Sequence, residues 1–356
     1  MSPNGLSPRP GNWVEVKSQQ EILATLDARG CLDGLPFMPE MLQYCGKRFR
    51  VATSAHKSCD TKAGSVTRGK ALGMKDAVHL EALRCDGRAH GGCQAGCLLY
   101  WKTVWLKPVS NGDSAADHPR RRLGDRSAPA GVGSGCTMDA LARATRAPSV
   151  EGPETDERYS CQATDLPRAT TPLQWWDPRH YVKDLTSGNI GLLKFVRYVA
   201  IAAYNVVMRL NWRGRPYPYV RGLLRGGEKT PSVKLDLQPG ELVQVRSKAE
   251  IMRTIDADQR NRGLWFDGEM VPFCGETHRV LRRVERLIDE KTGRMIKLSN
   301  DCIILDGVWC GGCLSKDRLF CTRSIYSYWR EAWLKRVEDV KQVAPVREPI
   351  SSSLSR

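Results

Sequence analysis

The chain has 356 residues, enough for two or three domains that each bury a core without disulfide staples. Its 55 Lys and Arg against 39 Asp and Glu leave a formal charge of +16, but much of the excess sits in linker-like stretches such as His118-Pro119-Arg120-Arg121-Arg122, and no basic run alternates with aromatics as a single-strand nucleic-acid face does. The opening residues carry no apolar run flanked by basic residues, so a cytoplasmic chain with reduced thiols is expected, and 13 crowded cysteines then fit metal ligation better than a disulfide framework.

Residues 10–64 match residues 239–293 without a gap. Ser18, Glu21, Ile22 and Thr25 pair with Ser247, Glu250, Ile251 and Thr254; Phe37, Glu40, Met41, Cys45 and Gly46 pair with Phe266, Glu269, Met270, Cys274 and Gly275. With the offset shortened by one residue, Trp101 and Trp105 meet Trp329 and Trp333. A duplication follows, with a first cysteine-rich repeat at 10–109 and a second at 239–337.

The first repeat opens on the alternating strand Trp13-Val14-Glu15-Val16, and Ser18-x2-Glu21 then marks a helix start, since serine and glutamate satisfy each other's backbone donors. Extended segments around Val51 follow, and Trp101 and Trp105 lie four apart, on one face if that segment is helical, where burial is expected. Short strands, one early helix and a Trp-rich end give an α+β class, mainly β. In strand pattern each repeat resembles a small SH3-like, partly open β-barrel.

Cys45, Cys85, Cys93 and Cys97 are the expected metal ligands of this repeat, the glycines around them letting backbone and ion approach closely. His56, Cys59 and His90 have no counterpart arrangement in the second repeat and form a candidate additional, open site. Soft and imidazole ligands there suit zinc or iron.

Residues 110–170 are rich in small and polar residues and read as linker, apart from an echo in which Cys136-x4-Leu141 and Cys161-x4-Leu166 share a spacing. Segment 171–238 contains Leu192–Leu210, apolar around most of a helical wheel with Lys194, Arg197, Asn205 and Arg209 on a narrow stripe. It is expected to be a central helix joining the barrels, buried by protein with that stripe toward water. Lys194 and Arg197 argue against a membrane span, which needs about 20 apolar residues.

The second repeat carries the turn Asp289-Glu290-Lys291-Thr292-Gly293 and the apolar strand Cys302-Ile303-Ile304-Leu305. Cys310-x2-Cys313-x7-Cys321, with Cys274, supplies four thiolates for tetrahedral zinc. Cys45 falls opposite Cys274 and Cys93 opposite Cys321, while Cys85 falls opposite Cys310 or Cys313. Residues 338–356 read as a tail. No phosphate loop, His-Glu-x2-His or nucleophile elbow appears. The expected function is a non-enzymatic binding protein stabilised by two zinc ions, with a protein or anionic polymer as partner. Nucleic acid and a peripheral membrane surface are weaker candidates as partner, and a metalloenzyme using the open Cys/His site is the alternative.

Overall fold

Alternation along Trp13–Val16 sends Val14 and Val16 to one side of a strand, and both are fully buried. The computed structural model describes residues 8–61, 71–109, 136–147, 157–211, 214–225, 228–315 and 318–337. The linker at 110–135 and 148–156 and the tail at 338–356 lie outside them.

The first repeat builds β1 (Trp13–Val16), β2 (Arg48–Ser54), β3 (Lys57–Cys59), β4 (Ala71–Gly73), β5 (Ala77–Arg84), β6 (Leu98–Lys102) and β7 (Leu106–Pro108). Five of these make an antiparallel sheet in the order β6-β5-β2-β1-β7, while β3 and β4 pair in a side sheet with the short strand Thr171–Pro172. The second repeat builds β8 (Leu242–Val245), β9 (Thr277–Arg283), β10 (Arg286–Ile288), β11 (Met295–Lys297), β12 (Ile303–Trp309), β13 (Tyr326–Trp329) and β14 (Leu334–Arg336). Its sheet runs β13-β12-β9-β8-β14, the same order.

The duplication extends to register. Val14 faces Phe49 and Val243 faces His278, and equivalent bulges interrupt β2 between Val51 and Thr53 and β9 between Val280 and Arg282. Both capping boxes form: Ser18 Oγ accepts from Glu21 N and Ser247 Oγ from Glu250 N, each at 3.3 Å. The Asp289–Gly293 turn joins β10 to β11 as expected.

The tryptophans are buried, but not on a helix. Trp101 lies in β6 and Trp105 closes a 3₁₀ turn, Thr103–Trp105; Trp329 and Trp333 repeat this with the turn Glu331–Trp333. The tight turn folds both rings onto the core, where Phe37 meets Trp101 and Trp105 edge-on at 6.2 and 5.1 Å and Phe266 meets Trp329 and Trp333 at 6.3 and 5.5 Å.

By contacts the chain divides into two compact units. One takes in 1–219, 285–298 and 309–326; the other takes in 220–284, 299–308 and 327–356. In the first unit Cys136, Leu141, Cys161 and Leu166 all join the core beneath the first sheet, so the echoed spacing serves packing.

The segment Leu192–Leu210 is a helix, but the expected burial is not found. Among its residues only Asn205 is buried, whereas Leu193 and Leu210 are 89% and 84% exposed. Phe195, Tyr198 and Ala202 cover one small cluster of Ile190, Cys313, Leu319 and Phe320, which is too narrow to take the rest of the apolar arc. The polar stripe is turned partly inward: the Asn205 amide accepts from Tyr217 N at 2.5 Å and donates to Tyr217 O at 2.6 Å. Among the described residues no helix is long and apolar enough to cross a membrane.

On β5, fully buried His79 donates from Nδ1 to Leu99 O at 2.9 Å, and its Nε2 has no hydrogen-bond partner. Burial pushes its pKa from 6.5 down to about 4. The unfolded chain therefore takes up a proton that the folded one refuses, so stability present above pH 6.5 is lost as pH falls through that window toward 4. His79→Phe should flatten this dependence, removing a loss on the order of 3 kcal/mol, read from urea unfolding at several pH values.

Candidate metal centre

Two glycines shape the cysteine loops. Gly87 has φ +74°, and a Cβ there would sit 2.1 Å from Cys93 O; Gly312 has φ +64°, and its Cβ would meet Cys321 O at 2.6 Å. The backbone bonds match as well: Cys85 N donates to Cys97 O at 2.8 Å and Cys310 N to Ile325 O at 2.7 Å, while Gly92 N bonds Gly87 O and Phe320 N bonds Gly312 O. These bonds pair Cys85 with Cys310 rather than Cys313, Cys93 with Cys321, and Cys97 with Ile325.

The first loop sets Cys85 against two groups from different places. Glu40 comes from the 3₁₀ turn Pro39–Tyr44, where the chain packs Met38 and Met41 into the core and carries the carboxylate in with them. Cys85 Sγ lies 3.3 Å from Glu40 Oε1 and 3.4 Å from His90 Nε2, and His90 Nδ1 lies 3.5 Å from Glu40 Oε1. One potential ligand atom from each residue falls within 4.8 Å of the other two, the only such group of three among the described residues.

Glu40 Oε2 and His90 Nδ1 are buried without a hydrogen-bond partner. Burial raises the Glu40 carboxyl and the Cys85 thiol and holds His90 down to about 4. Each group is therefore penalised for carrying charge alone. A divalent cation among them would offset that penalty for carboxylate and thiolate and would bind the neutral imidazole.

The other expected ligands are distributed differently. Cys45 packs beside the first core, and Cys274, its counterpart, beside the second. Cys93 Sγ accepts from Ile288 N at 3.4 Å, and burial pushes Cys97 up to about 12. Cys313 sits in the apolar cluster under the Leu192–Leu210 helix, while in the same loop Cys310 N donates to Ile325 O at 2.7 Å and Cys321 N to Arg318 O at 3.1 Å. Among the described residues, then, Cys310, Cys313 and Cys321 form no ligand group in the first unit, Cys274 belongs to the other unit, and Cys45, Cys85, Cys93 and Cys97 do not gather into a group of three or more. Apolar packing holds several of these thiols where core residues belong.

Nor do His56, Cys59 and His90 converge. His56 Nε2 lies 2.9 Å from Asp184 Oδ1, Cys59 Sγ lies 4.0 Å from Arg318 Nη1, and His90 meets Cys85. Glu40 was not among the expected ligands; its signal was a lone acid inside the apolar run Phe37-Met38-Pro39-Glu40-Met41, matched by Glu269 in the second repeat. The chain matches no family model, no curated protein and no solved structure.

Proposed function

We propose that the first repeat binds one zinc ion through Glu40, Cys85 and His90, and that the protein is a metal-stabilised, non-enzymatic binding scaffold whose basic surface engages a protein or anionic polymer. The observation that carries this reading is the convergence of an oxygen, a sulfur and a nitrogen donor on one buried point, with two of their polar atoms left unbonded. That donor set suits zinc, which takes all three ligand types in tetrahedral geometry. The Glu40 and His90 side chains are 3% and 2% exposed, a closed setting that favours a structural ion over a catalytic one.

One such donor group is found among the described residues, so one ion is expected. We read each repeat as an SH3-like, partly open barrel; the support is the shared five-strand order with a 3₁₀ turn before the last strand.

Metal analysis of the purified chain tests the site. One zinc per chain is expected, lost in Cys85→Ser and His90→Ala and reduced in Glu40→Gln, with unfolding midpoints falling to the level that chelation produces in the unaltered protein. Retention of full zinc by both Cys85→Ser and His90→Ala, or an unaltered chain that binds none, would sink the reading.

A further inference from the structure

Leu193, Val196, Ala200, Ala203, Val207 and Leu210 follow one another at steps of three and four along the Leu192–Leu210 helix, so they share one side of it. All six are exposed, and Leu192 and Tyr204, which border them, are exposed as well. The opposite side is what holds the helix in place. Phe195, Tyr198 and Ala202 pack on Phe320 and its neighbours, Phe195 stacks on the Phe320 ring at 5.2 Å, and Asn205 is bonded to the Tyr217 backbone. The helix is thereby fixed to the first unit with an unbroken apolar stripe turned outward. Single exposed leucines are ordinary, but a contiguous apolar face of this length marks a contact surface.

The apolar surface continues beyond the helix. Trp175, Ile201, Val206, Arg209 and Leu210 line an open cavity of about 400 Å³ at its end, and Trp175 and Trp176 are themselves 56% and 66% exposed. The charge beside it has one sign. Lys194, Arg197 and Arg209 are exposed on the helix, and the sequence holds no Asp or Glu between Asp184 and Glu228.

That charge decides between occupants. Two helices that pair through a stripe of this spacing are commonly joined by opposite charges along its edges, and a second copy would bring more cations with no carboxylate from either helix to receive them. An anionic bilayer supplies both missing parts, hydrocarbon for the stripe and negative headgroups for the cations. Long basic side chains lay their stems along apolar surface while their charges reach the headgroups, and tryptophan favours that same zone.

We propose that this face docks the first unit on an anionic lipid bilayer, with the Leu192–Leu210 helix lying in the plane of the interface. The stripe enters the boundary between headgroups and acyl chains, Lys194, Arg197 and Arg209 meet lipid phosphates and carboxylates, and Trp175 and Trp176 settle at headgroup level. The attachment is peripheral, since no described helix is long and apolar enough to cross a membrane. It adds a partner to the zinc-bound scaffold and does not depend on the metal.

Flotation of the full-length protein with vesicles of phosphatidylcholine and phosphatidylserine tests this, against vesicles of phosphatidylcholine alone. Binding to the mixed vesicles is expected, weakening as salt rises, with little binding to phosphatidylcholine alone. Leu193→Glu together with Val207→Glu should weaken binding by about tenfold or more, because it takes two apolar side chains from the centre of the contact. Lys194→Gln and Arg197→Gln should each weaken it by about fivefold. All four side chains are exposed, so zinc content and urea midpoints should stay those of the unaltered protein, which separates a lost surface from a lost fold. Failure of the unaltered chain to float with the mixed vesicles would overturn the proposal, whatever the variants do. So would undiminished flotation of the Leu193→Glu, Val207→Glu protein, since adhesion would then come from the overall charge of +16 rather than from this face. Self-association in sedimentation that the same two substitutions abolish, without vesicle binding, would assign the face to a second copy instead.

Discussion

Asp184→Asn is expected to destabilise the first unit by about 3–5 kcal/mol, the cost of leaving a buried charge without its partner. Asp184 and Lys57 are both fully buried, and Lys57 Nζ donates to Asp184 Oδ2 while His56 Nε2 bonds Oδ1. Burial alone depresses the Lys57 pKa, and the Asp184 carboxylate is the main group opposing that. The ammonium also lies 4.6 Å from the Tyr181 ring centroid, a contact too weak to replace the carboxylate. Adding Lys57→Met to Asp184→Asn should recover most of the loss, because well-packed apolar groups commonly match a buried ion pair in stability. Glu15→Ala, which removes the exposed pair with Arg48, should change stability by no more than about 1 kcal/mol. Urea midpoints of the four proteins decide the matter; equal losses for Asp184→Asn and Glu15→Ala would show that the buried pair carries no special weight.

Trp105→Ala and Trp333→Ala should each cost about 3–5 kcal/mol, since each removes a fully buried ring from a closely packed core. The two sites are equivalent down to the polar handle: Trp105 Nε1 donates to Thr25 Oγ1 at 3.0 Å and Trp333 Nε1 to Thr254 Oγ1 at 2.9 Å. Thr25→Val and Thr254→Val leave the indole N–H buried and unbonded, so each should cost about 1–3 kcal/mol. Unfolding monitored separately for the two units checks this. A large penalty at one tryptophan with a negligible one at its counterpart would mean that the duplicated sequence is not stabilised in the same way twice.

The duplication, the capping boxes at Ser18 and Ser247, the β1 and β8 strands and the Asp289–Gly293 turn were all legible in the order of residues. Each depends on residues a few positions apart, through a backbone donor, an alternating apolar side or a short turn, so the pattern carries its own physics. It also marked Leu192–Leu210 as a helix, because that depends on the segment alone. Burial of that helix depends on the area of surface offered to it, and Phe320 and its neighbours offer only enough for Phe195, Tyr198 and Ala202. The cysteines divide along the same line. Spacing paired Cys93 with Cys321 but could not choose between Cys310 and Cys313 for Cys85, which needed the loop hydrogen bonds around Gly87 and Gly312. Only the folded chain brings Glu40 to Cys85 and His90, and Asp184 to Lys57 and His56. These meetings are made when strands and loops far apart in the chain close on one another, and no local propensity records which side chains that closure brings into contact.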